Sequence, residues 1–92
     1  MKTYHAVMLH GNRDAEGKYE FQGEDALLDS TPVRIMRKFM EHVEAHAGLG
    51  HIDYEINAAM KNKEKGVVTV LGELVFHGND HQPFVCMIDG NS

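Results

Sequence analysis

The chain has 92 residues, 42% hydrophobic and 25% charged, so it has the size and composition of one small globular domain over 1–92 and lacks the low-hydropathy signature of disorder. Its formal net charge of -5 argues against nucleic acid as a partner, because phosphate-backbone binding draws its affinity from clustered Lys and Arg. The single cysteine, Cys86, excludes an internal disulfide and any CxxC or zinc-ribbon motif, and a cytoplasmic location is the expectation.

The opening MKTYHAVMLHGN carries one Lys and an apolar run shorter than a secretory h-region. Lys2 to His10 alternates, with Tyr4, Ala6 and Met8 on one side and His5, Val7 and Leu9 on the other, which predicts a strand. Gly11 to Lys18 is rich in turn residues, and Tyr19 to Gln22 reads as a short returning strand. With that strand the order is ββαβββ; without it, βαβββ.

Thr31 is placed to cap a helix, with Pro32 at the first helical position, where its missing donor costs nothing. At about 100° per residue, Met36, Phe39, Met40, Val43 and Ala47 fall on one stripe, while Arg34, Arg37, Lys38, Glu41 and Glu44 lie away from it. Gly48 suits the left-handed position after the helix, with Leu49 folding back toward Val43.

Three strands follow, His51 to Lys61, Val67 to His77 and Pro83 to Asp89, joined by two hairpins. In the first, Ile52, Tyr54, Ile56, Ala58 and Met60 alternate with Asp53, Glu55 and Asn57, so one face is expected to be buried and the other wet. Val67 to Phe76 is the most apolar window, yet Glu73 interrupts it and it has about half the length of a membrane span, so no membrane insertion is expected. The fold class is therefore α+β: an antiparallel sheet of four or five strands with one amphipathic helix on one face.

One helix covers one face of a sheet. The last two strands are apolar on both sides, which leaves Val7, Leu9, Leu71, Val75, Val85 and Met87 as an expected patch on the uncovered face. Such a patch points to an interface and a homodimer. The plainer reading is scattered surface aliphatics, with Gly72 marking a bulge that turns some of them inward.

The tripeptide His-Gly-Asn recurs at 10–12 and 77–79, where Gly-Asn suits a turn leaving a strand. If the hairpins are sequential, His10, His46, His51, His77 and His81 converge at one end of the sheet, with Asp80 beside them. His42 and His46, at i and i+4, are placed to share a divalent metal ion, and a third ligand would come from His51, His77, His81 or Asp80. The helix reads HVEAH, so it lacks the general base of the HEXXH metalloproteases. Helix capping explains the same pair without a metal, because imidazolium near a helix C-terminus interacts favourably with the macrodipole.

Cys86, mid-strand among apolar residues, is set as an inert thiol, and no nucleophile elbow or phosphate-cradling glycine loop occurs. Arg34, Arg37, Lys38, Lys61, Lys63 and Lys65 gather at the opposite end, interspersed with acidic residues and without interleaved aromatics for base stacking. The expectation is a non-catalytic binding or assembly domain that self-associates through the uncovered face. The alternative is a small ligand- or metal-binding protein or enzyme that uses the histidine-rich end.

Overall fold

The computed structural model describes residues 1–11, 15–47, 51–76 and 78–90. The expected helix ending at Gly48 and Leu49, and His77, lie outside the described residues.

A first hairpin of β1 (Lys2–His10) and β2 (Ala15–Gly23) is followed by a 3-10 turn (Leu27–Asp29) and the helix α1 (Pro32–Ala47). A meander of β3 (Asp53–Asn62), β4 (Val67–Phe76) and β5 (Asp80–Asp89) completes the ββαβββ order. All pairs are antiparallel in the order β2-β1-β5-β4-β3, so the last strand sits at the centre, between β1 and β4.

The returning strand exists and is longer than Tyr19 to Gln22, pairing with β1 from Lys2↔Gly23 to His10↔Ala15. Gly17, a turn residue by composition, lies inside the strand because the Tyr19 ring passes over it; a Cβ there would meet that ring at 2.6 Å. The β2–α1 connection is fixed by the Tyr4 hydroxyl, which donates to the Glu24 carbonyl at 2.6 Å and accepts from the Leu27 N–H at 3.3 Å. Burial pushes the Tyr4 hydroxyl pKa upward, so it stays a donor.

The helix begins as its letters predict. The Thr31 hydroxyl accepts the Arg34 N–H at 3.3 Å, and the Thr31 carbonyl accepts the Ile35 N–H at 3.0 Å. Met36, Phe39, Met40 and Val43 are buried, joined by Ile35, and Phe39 meets the Tyr19 ring edge-on at 5.4 Å. They pack on Tyr4, Ala6, Met8, Phe21, Val68, Val70, Leu74, Phe84, Cys86 and Ile88 from the covered face of the sheet. Where the helix gives way to β3, the Glu44 carboxylate accepts the Ile52 N–H at 2.8 Å.

The simple alternation expected along β3 breaks. Its pairing with β4 shifts between Ile56 and Ala58, leaving Asn57 as the extra residue of a bulge. Ala58 and Met60, expected on the buried side, are thereby moved to the uncovered face, and Met60 is 60% exposed. Gly72 does mark the bulge, but the extra residue is on β3, the strand opposite it, and Leu71 and Val75 are not turned inward. The glycine lies opposite Ile56, so close to the β3 backbone that a Cβ would sit 2.0 Å from the Glu55 carbonyl oxygen. No described helix is long and apolar enough to cross a membrane.

Candidate functional site

The register places the open face of the sheet residue by residue. Leu9, Val85, Leu71 and Ala58 form one row across four strands, and Val7, Met87, Thr69 and Met60 form the next. Leu9 and Met87 are 44% and 42% exposed although both lie on interior strands. No charged residue lies within these two rows between β1 and β3. Lys18 and Glu20 on β2 and His5 on β1 border the band on one side. Of the six residues expected here, Val7, Leu9, Leu71, Val85 and Met87 belong to the band; Val75 shares the face but stands beyond Glu73.

At that border lies a polar cluster. Glu55 pairs directly across strands with Glu73, and the His81 Nδ1 is 3.6 Å from a Glu73 carboxylate oxygen. Among the described residues, this is the one group of three or more His, Cys, Asp or Glu side chains whose donor atoms converge, all lying within 4.8 Å of one another. Glu55 and His81 are exposed and Glu73 is half-buried. Sequence reasoning named His81 but neither glutamate. The available signal was Glu73 itself, a charge inside the most apolar window of the chain.

Antiparallel pairing does bring the ends of β1 and β4 and the starts of β3 and β5 to one end of the sheet, as expected. The histidines there nonetheless divide among separate partners. His51 bridges two carboxylates, with Nδ1 3.2 Å from Glu44 and Nε2 2.9 Å from Asp53. His10, half-buried at the end of β1, has a buried Nδ1 with no hydrogen-bond partner. His42 and His46 stack with ring centroids 4.0 Å apart, and the His46 Nδ1 lies 3.1 Å from the His42 carbonyl, a contact in which the ring N–H donates. That contact adds a ring N–H to a carbonyl near the C-terminal end of the helix and engages one of the two His46 ring nitrogens. Burial, and then the neighbouring His46, hold the His42 pKa below its usual 6.5. His10, His46 and His51 join no described three-donor group.

Of the remaining candidates, Cys86, Arg34, Lys38 and Lys61 are occupied structurally. Burial pushes the Cys86 thiol up to about 12, as suits an unreactive core residue. At the opposite end Arg34 pairs with Glu24, Lys38 with Glu41, and the Lys61 ammonium donates to the Ser30 carbonyl. Comparison with protein-family models, curated proteins and solved structures found no match.

Proposed function

We propose that this chain is a non-catalytic assembly domain that self-associates as a homodimer through its uncovered sheet face. The observation that carries the reading is the two-row band, apolar except for Thr69, uncharged from β1 to β3 and bordered by charged and imidazole side chains. A charge-free centre with a polar rim and exposed methionines is the usual anatomy of an interface.

The size of the face fits a second copy. Five strands about 4.8 Å apart and eight residues of about 3.3 Å give a sheet face of roughly 24 by 26 Å, about 620 Å², so an interface near the ~800 Å² per partner of standard size takes the whole face, with the apolar band at its centre and the charged margins as its rim. Two such sheets packing face to face form the core of a β-sandwich, and a two-fold axis needs only this one patch. The single cysteine, buried and unpaired, fits a reducing compartment such as the cytoplasm.

Sedimentation equilibrium of the wild type and of a Leu9→Glu, Met87→Glu variant tests the proposal. The wild type is expected to dimerise and the variant to be at least about tenfold weaker, since each buried aliphatic contributes about 1.5–3 kcal/mol and 1.4 kcal/mol is tenfold. A wild type that stays monomeric up to about 1 mM, a bare −4 kcal/mol of association, would overturn it. So would a variant that dimerises unchanged, which would put the contact on another surface.

A further inference from the structure

Glu55 and Glu73 stand directly opposite each other on β3 and β4, on the open face. Like charges in this position repel and destabilise a sheet pair. Among the described residues no Lys or Arg pairs with either of them, and His81 is the one basic side chain in the group. The backbone beneath them is specially built. The bulge at Asn57 follows Glu55 by two residues, and Gly72, next to Glu73, lets the Glu55 carbonyl approach where a Cβ would clash at 2.0 Å. Bulges re-aim side chains and recur beside functional sites.

We propose that Glu55, Glu73 and His81 bind a divalent first-row transition-metal ion of the zinc or manganese class. The three donor atoms lie within 4.8 Å of one another. Tetrahedral ligands at about 2.0–2.2 Å lie about 3.3–3.6 Å from one another, so ~1.5 Å of side-chain adjustment at most closes the site. Two exposed members of the set supply that freedom through staggered rotamers. The ion replaces the repulsion between the glutamates with two attractions. Imidazole beside two carboxylates favours zinc or manganese over calcium and magnesium, which take oxygen ligands. With three protein donors on an open face, the remaining coordination positions are left to water or to a further donor. All three donors come from one copy of the chain, so binding needs no partner, although Glu73 stands one row from Leu71 at the margin of the proposed interface.

The test is an NMR titration of the chelator-treated full chain with zinc, then manganese and magnesium, read at the His81 ring and the Glu55, Glu73 and His81 amides. Sedimentation of the same samples records self-association separately. Saturable one-to-one zinc shifts confined to these residues are expected, with His51 and the His42–His46 pair unmoved and magnesium much weaker. Glu73→Gln and His81→Asn should each weaken zinc binding at least about tenfold, no less than the loss of an outer-shell partner costs a metal site. Glu73→Gln should also stabilise the metal-free fold to urea by removing the opposed charge, which separates lost binding from lost folding. Zinc shifts that centre on His51 or His46, no saturable shifts, or wild-type affinity in both variants would overturn the proposal.

Discussion

Tyr4 and Glu44 each fasten one of the two connections between helix and sheet. Glu44→Ala leaves the Ile52 amide, on a buried residue, without its acceptor, and is expected to cost about 1–3 kcal/mol in urea unfolding. Glu44→Gln keeps an acceptor and should recover most of that loss. Tyr4→Phe removes the donor to the Glu24 carbonyl and the acceptor of the Leu27 amide, with an expected loss of about 1–3 kcal/mol by the same measurement. His42 sets a pH dependence. Its folded pKa lies below 6.5, so the folded state favours the neutral ring; this contribution is fully present above 6.5 and is lost as pH falls below it toward the folded value. Urea midpoints on either side of 6.5 should show the fall, and His42→Phe, which keeps a ring against Tyr19 and Phe21, should reduce it.

Among the elements, the helix was legible almost entire, because its cap, its proline and its apolar stripe are all local signals. The strands were legible as far as alternation carries. β2 was read short because Gly17 belongs to the turn vocabulary, and only the ring of Tyr19 explains a glycine in mid-strand. β3 was misread past Ile56 because one inserted residue, Asn57, reverses every later side chain, and nothing in the alternation of a single strand marks such a slip. The same slip hid the polar cluster, since Glu55 and Glu73 become neighbours only through pairing between strands. Strand pairing puts His10, His51 and His81 at one end of the sheet, but which carboxylate each meets depends on loop and rotamer detail that spacing does not carry. Gly72 is the element-scale test. Gly72→Ala drives a Cβ into the Glu55 carbonyl and the Phe84 ring, so a loss of more than about 2 kcal/mol is expected in urea, with amide shifts concentrated at Glu55 and Glu73.

At the scale of the whole molecule, the helix covers one face and leaves the other to meet something else. If that is a second copy, folding and association are linked by mass action, and the melting temperature should rise with protein concentration for the wild type and stay flat for the Leu9→Glu, Met87→Glu variant. The central position of β5 has a kinetic consequence. The β1–β2 hairpin and the β3–β4 hairpin can each form from nearby residues, but the seam between the halves waits until the final strand slots between β1 and β4. Such distant pairing slows folding into about the millisecond-to-second range. Until that strand arrives, β1 and β4 both present bare inner edges, and a ribosome-bound chain halted before Asp80 is one that another nascent chain could zip onto.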